Sequence, residues 1–144
     1  LSPDGQVIAS ASRDQTVKLW RWNPQLKSFI DQNTLKGHTA NVMAVAFSPD
    51  QKLLASASQD KTIKLWKLDG TLVKTLNGHN DEVYNLKFSP DGKTLASVSE
   101  DKTVILWNLD RILNLNEFAY ACNWIKDYLK TNSQLSPEDR ILCQ

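Results

Sequence analysis

Few residues of this chain are of types that do chemistry, and their spacing argues against most of it. The 144 residues hold two histidines, His38 and His79, and two cysteines, Cys122 and Cys143. A structural zinc site takes about four such ligands at short, recurring spacings, and these residues show no such pattern, so no metal is expected. Two cysteines are also too few for a disulfide framework. They read as reduced thiols of a cytoplasmic protein, with a Cys122–Cys143 bridge open to a tail that folds back on itself. Serine, histidine and aspartate are all present, so a nucleophilic centre has to be weighed. It needs an exposed nucleophile and an oxyanion site. The sequence shows no clustered catalytic acids and no Gly-rich phosphate loop, and no cofactor is expected.

Charge excludes other partners. The 17 basic residues are interspersed with 16 acidic ones for a net charge of +1. Phosphate recognition concentrates Lys and Arg on one face, so neither nucleic acid nor a membrane surface is indicated. Lys18, Lys36 and Lys64 read as stems that cover apolar surface and leave the ammonium in water. With 41% hydrophobic residues and no long apolar run, the composition is that of one ordinary domain.

The elements that would position any site come from one passage written three times. It reads LSPDGQVIASASRDQTVKLW from Leu1, FSPDQKLLASASQDKTIKLW from Phe47 and FSPDGKTLASVSEDKTVILW from Phe88. A period of about forty residues marks stacked units, none able to bury both its faces alone. In the central unit, Val42 to Phe47 reads as a strand and Ser48-Pro49-Asp50-Gln51 as a turn. Leu53–Ser58, Thr62–Trp66 and Thr71–Leu76 follow as strands, separated by Gln59-Asp60-Lys61 and Asp69-Gly70 reversals. Four short antiparallel strands per unit is the pattern of a propeller blade. The first unit lacks an opening strand and the third a closing one, which predicts ten strands.

Gly-His, Ser-Pro-Asp-Gly and Ala-Ser-x-Ser-x-Asp-x-Thr-(Ile/Val)-Lys-Leu-Trp together resemble the WD-repeat (WD-40) family of β-propellers. The likeness covers residues 1–109, with Trp20-Arg21, Trp66-Lys67 and Trp107-Asn108 where the family name has Trp-Asp. The resemblance implies a structural tetrad of His, Ser, Asp and Trp in each blade. In the second unit it falls on His38, Ser56, Asp60 and Trp66, and in the third on His79, Ser97, Asp101 and Trp107. The first unit has Ser10, Asp14 and Trp20. A constellation repeated once per blade is a scaffold device rather than a nucleophilic centre. The resemblance also places the Gly-His loops and Asp-containing reversals on one rim, where partners of the family dock. Candidate contacts there are Arg13, Gln59 and Glu100 in the reversals, and Asn41, Met43, Asp81 and Tyr84 beside the opening strands.

From about Asn114 the period becomes helical, with Leu115, Phe118, Cys122, Ile125 and Leu129 on one stripe and an Asn114/Glu117 capping pair. Ser136-Pro137 starts a second helix, so residues 110–144 read as a helical hairpin. The Cys122 to Asn132 run with Ser136 to Arg140 resembles the extension after the last repeat of large bacterial, notably cyanobacterial, WD-repeat proteins. The expectation is therefore an all-β chain of three four-stranded antiparallel blades, two of them incomplete, in an open partial β-propeller. The blades span 1–36, 37–77 and 78–109. The chain opens in mid-motif at Leu1, which reads as the C-terminal fragment of a larger propeller. The expected function is a non-catalytic protein-interaction scaffold or sensor, with self-association through open blade faces. Alternatives are an accessory domain of a signalling NTPase or protein kinase, an oligomerisation module, or a propeller enzyme.

Overall fold

Alternating side chains and short Asp-centred turns divide the chain into antiparallel strands. The computed structural model describes residues 1–114; the expected hairpin, including Cys122 and Cys143, lies outside the described residues. Sheet 1 has the order β1 (Val7–Ala11), β2 (Thr16–Asn23), β3 (Ser28–Lys36). Sheet 2 runs β4 (Val42–Phe47), β5 (Leu53–Ser58), β6 (Thr62–Lys67), β7 (Leu72–Asn77), and sheet 3 runs β8 (Val83–Phe88), β9 (Thr94–Ser99), β10 (Val104–Asn108). All neighbours pair antiparallel.

The turns explain where strands begin. Ser48 Oγ donates to Asp50 Oδ1 at 2.7 Å and accepts the Leu53 amide at 2.9 Å, closing the turn onto the start of β5. Ser2 with Asp4 and Ser89 with Asp91 repeat the arrangement. The fourth turn residue is left-handed each time, Gly5 at φ 71°, Gln51 at 59° and Gly92 at 71°. Glycine adopts that conformation without penalty, so the glutamine of sheet 2 is the strained member of the set.

The core lies between the sheets. Ala55 pairs with Leu65 and Ala57 with Ile63 on one face of sheet 2, while Leu54 and Trp66 share the other. Val17, Leu19 and Leu35 of sheet 1 pack with Val42, Leu54 and Trp66 of sheet 2. β4 and β5 in turn pack on β8, where Val83, Leu86 and Phe88 are buried. Each fully buried Leu or Ile contributes roughly 1.5–3 kcal/mol. Sheet 3 breaks the series. Val98, Val104 and Leu106 are 40%, 64% and 70% exposed, whereas Ala57, Ile63 and Leu65 at the matching positions of sheet 2 are at 0–1%.

One expectation is corrected. The helix does not start at Asn114: α1 spans Leu109–Asn114, immediately after β10. Leu109 is buried and its amide donates to Lys93 O at 2.8 Å, anchoring the first turn, and Asp110 suits the positive end of the helix dipole. Asn114 already lies inside α1, and the expected Asn114/Glu117 capping pair falls outside the described residues. No helix among the described residues is long and apolar enough to cross a membrane.

Candidate functional site

The sequence-predicted polar residues of sheets 2 and 3 meet in two closely matching hydrogen-bonded chains. Trp66 Nε1 donates to Ser56 Oγ at 2.8 Å, and Ser56 Oγ lies 2.7 Å from His38 Nε2. His38 Nδ1 is 2.7 Å from Asp60 Oδ2. A neutral imidazole carrying its proton on Nδ1 satisfies every link: indole to hydroxyl, hydroxyl to Nε2, Nδ1–H to carboxylate. Sheet 3 repeats the chain through Trp107, Ser97, His79 and Asp101 at 2.9, 2.7 and 3.0 Å.

Each carboxylate is surrounded by donors. The Thr39 amide reaches Asp60 Oδ2 at 3.0 Å, and the Thr62 amide and hydroxyl reach Oδ1 at 3.0 and 2.7 Å. Burial works to raise the Asp60 carboxyl, but hydrogen bonds from Thr62, His38 and Thr39 outweigh it and hold it below the usual carboxylate range. At Asp101 the Thr103 hydroxyl is the leading cause of a downward displacement that burial opposes. Burial pushes the His38 imidazole down despite Asp60 beside it, in keeping with the neutral ring. Thr62 and Thr103 were not singled out from sequence, although the Asp-x-Thr of each reversal is a recognisable Asx-turn signal.

Glycine before each histidine lets the indole come close. A Cβ on Gly37 would stand 3.1 Å from Trp66 Cη2, and one on Gly78 would stand 2.8 Å from Trp107 Cη2. Ser56 is fully buried, with its hydroxyl committed to His38 and Trp66. A nucleophile needs access to substrate, and this hydroxyl has none.

Sheet 1 differs. Trp20 Nε1 donates to Ser10 Oγ at 3.2 Å, but Asp14 is exposed and serves its own turn, accepting from the Thr16 amide and hydroxyl at 2.9 and 2.6 Å. Those two bonds hold its carboxyl below the usual range.

The predicted rim residues gather at the end of the sheets where these reversals lie. Met43 and Tyr84 occupy register shifts in β4 and β8, each left unpaired by a bulge, and are 42% and 41% exposed. Bulges re-aim side chains out of a ladder. The Tyr84 hydroxyl donates to Glu100 Oε2 at 2.7 Å, and Glu100, Glu82 and Asp81 together push the phenol up to about 12. Arg13 is exposed in the β1–β2 reversal, while Asn41 is half-buried with its carbonyl accepting the Gln59 amide at 3.0 Å. The Gln59 side chain is not free for a partner, because its Nε2 donates to Glu82 Oε2 of sheet 3 at 2.7 Å. Lys61 spans the same junction, donating to Asn80 O at 2.9 Å and lying 3.6 Å from Asp81. Glu82 and Lys61 were missed from sequence, since a bond between sheets becomes visible only once the sheets are stacked.

A family model described as WD domain, G-beta repeat, matches residues 1–21, 30–67 and 70–108. The chain belongs to the WD40-repeat family. WD40 repeats generally mediate protein–protein interaction and are typically non-catalytic. No curated protein matches the chain. The matched WD40 units are staggered against the sheets: the span 30–67 holds most of β3 of sheet 1 and β4 to β6 of sheet 2, and the span 70–108 holds β7 with β8 to β10.

Proposed function

We propose that this WD40 chain is a non-catalytic protein-interaction module whose partner docks on the rim around Met43, Tyr84, Asp81, Glu100, Asn41 and Arg13. The supporting observation is the pair of bulges that turn Met43 and Tyr84 outward at matching positions of two sheets. The scaffold beneath them is nearly constant, while the presented side chains differ. His38, Ser56, Asp60, Trp66 and their counterparts in sheet 3 then have a structural role, holding the reversals that carry the rim. Residues 1–109 form the interaction segment, with 110–144 as an extension. Quantitative affinity capture tests the reading. Met43→Ser with Tyr84→Ser removes specific partners, whereas Lys52→Glu, in a turn at the opposite end of the sheets, retains them. A rim variant that keeps every partner refutes it.

A second reading rests on the exposed face of sheet 3. Val98, Val104 and Leu106 suit contact with another sheet, which supports membership of a larger propeller or self-association through open sheet faces. Light scattering with Leu106→Glu tests the self-association. A wild-type chain that stays monomeric at high concentration excludes it.

A further inference from the structure

The strand that closes sheet 2 hands the chain to sheet 3 through Asn77, Gly78 and His79. Asn77 is the one asparagine of the 144 residues that precedes a glycine. It is the last residue of β7, pairs with Thr62 at the end of the β6–β7 ladder, and is exposed, as Gly78 is. Other Asn side chains are tied in place. Asn33 Nδ2 donates to Asp69 O while its Oδ1 accepts the Thr34 amide, and Asn85 Oδ1 accepts the Leu86 amide. No such bond holds the Asn77 side chain among the described residues. The matching position before Gly37-His38 is Lys36, which pairs with Thr16 at the end of β3.

Beyond Asn77 the chain is held closely. His79 Nδ1 lies 3.0 Å from Asp101 and Nε2 lies 2.7 Å from Ser97, and the Asn80 amide reaches Asp101 Oδ2 at 2.8 Å. A Cβ on Gly78 would stand 2.8 Å from Trp107 Cη2 and 3.4 Å from Ile105 Cδ1, so the main chain there runs against the indole. A single crowded residue therefore separates the ladder end from a buried histidine, and it alone must absorb any change in backbone length.

We propose that Asn77-Gly78 is a site of spontaneous deamidation whose isoaspartyl product unseats the His79 chain of sheet 3. The Gly78 amide nitrogen gives its proton to a solvent base and attacks Asn77 Cγ. A bond forms between that nitrogen and Cγ, the bond from Cγ to the side-chain nitrogen breaks, and ammonia leaves, taking a proton back from the base. A five-membered succinimide remains. Water opens it at either carbonyl, to aspartate or to isoaspartate, with no change of oxidation state. Glycine favours the attack because no Cβ shields its nitrogen and its backbone reaches angles closed to other residues. The end pair of a ladder frays at little cost, so the folded chain reaches the reactive geometry. Isoaspartate routes the main chain through the former side-chain methylene, which lengthens the backbone between the ladder end and His79. Sheet 2 is spared, because Lys36 cannot cyclise. This chemistry needs no partner and holds whether or not the rim binds one.

The full 144-residue chain and a synthetic peptide of residues 72–83 are aged together in mildly alkaline buffer and followed by tandem mass spectrometry. Asn77 of the folded chain is expected to convert within roughly tenfold of the peptide's rate, as a fraying strand end allows, with isoaspartate among the products. Slower conversion than that overturns the proposal. Hydrogen exchange reads the consequence. In chains bearing isoaspartate, the amides of residues 79–83 exchange roughly tenfold or more faster than in fresh protein, while those of residues 38–42 are unchanged. Asn77→Lys, which copies Lys36, ages without this change. Asn77→Asp, which adds the charge without the methylene, keeps the exchange of fresh protein. Equal exchange in isoaspartyl and fresh chains overturns the proposal, and so does a loss of protection in Asn77→Asp as large as in the isoaspartyl chain.

Discussion

Replacing Asp60 by alanine isolates the value of a complete tetrad. The substitution strands the His38 Nδ1 proton, and the His38 side chain is 1% exposed, so water cannot take the place of the carboxylate. Leaving a buried donor unsatisfied costs about 1–3 kcal/mol. The Thr39 amide and the Thr62 amide and hydroxyl lose the same carboxylate but lie nearer solvent, and together they add about 1 kcal/mol. Relief of the carboxylate's own desolvation offsets part of this. The net loss is about 2–3 kcal/mol, a large share of the roughly 5–15 kcal/mol that holds a typical domain together. Urea unfolding at neutral pH, followed by Trp fluorescence, reads the difference directly. Asp14→Ala is the internal comparison, because Asp14 holds its own Thr16 turn without a histidine, and its loss should be clearly smaller. The acid limb gives the sign. Asp60 titrates below its unfolded value, so its contribution is complete above about pH 4 and disappears as pH falls through the folded pKa. The wild-type advantage over Asp60→Ala should shrink over that range. If Asp60→Ala and Asp14→Ala cost the same, the reasoning from the buried imidazole is wrong.

Gly78→Ala places a methyl 2.8 Å from Trp107 Cη2, whose ring is pinned by its bond to Ser97, and should lower stability by about 1–3 kcal/mol in the same assay. Lys102 sits in the left-handed region at φ 65°, and Gln15 and Lys61 do so at 71° in the equivalent turns, so Lys102→Gly should raise stability by about 0.5–1 kcal/mol. An unchanged or lower urea midpoint would count against the strain. Ultraviolet titration should find one tyrosine ionising near 12, because ionising Tyr84 removes its bond to Glu100 and sets a phenolate among acids. Glu100→Gln should bring that titration down toward about 10; a profile indifferent to Glu100 would show that the contact does not form in solution.

Strand positions were legible in sequence because each depends on local chemistry. Ser-Pro-Asp turns, Asp-x-Thr reversals and Val-Lys-Leu-Trp alternation act within a few residues, and the ten strands lie where those signals put them. The same turns hid their own exception: Gln51, in a left-handed position that its counterparts fill with glycine, could not be told from sequence to be strained. Contacts between sheets were not legible. Gln59 reads as an exposed reversal residue, yet it is tied to Glu82 across a junction that exists only after stacking. The bulges were missed because an extra residue leaves no mark on period-2 alternation shorter than the strand itself. The helix start at Leu109 was missed for a related reason. Its anchor is the carbonyl of Lys93, distant in sequence and brought close by the β9–β10 hairpin.

The stagger between WD40 units and sheets has a consequence for how the molecule comes apart. Since β3 and β7 belong by sequence to the unit that follows their sheet, the units at 30–67 and 70–108 each straddle two sheets. Excising the unit at 30–67 would therefore strip an outer strand from sheet 1 as well as three strands from sheet 2. No sheet can melt alone without pulling on a unit it shares with its neighbour. The three sheets should open as a single cooperative foldon, with slow-exchanging amides in β2, β5 and β9 released together. Repetition in the sequence thus does not mean independence in the fold: the repeats overlap the sheets like roof tiles, and the seam between the units at 30–67 and 70–108 is stitched by the β6–β7 ladder of one sheet.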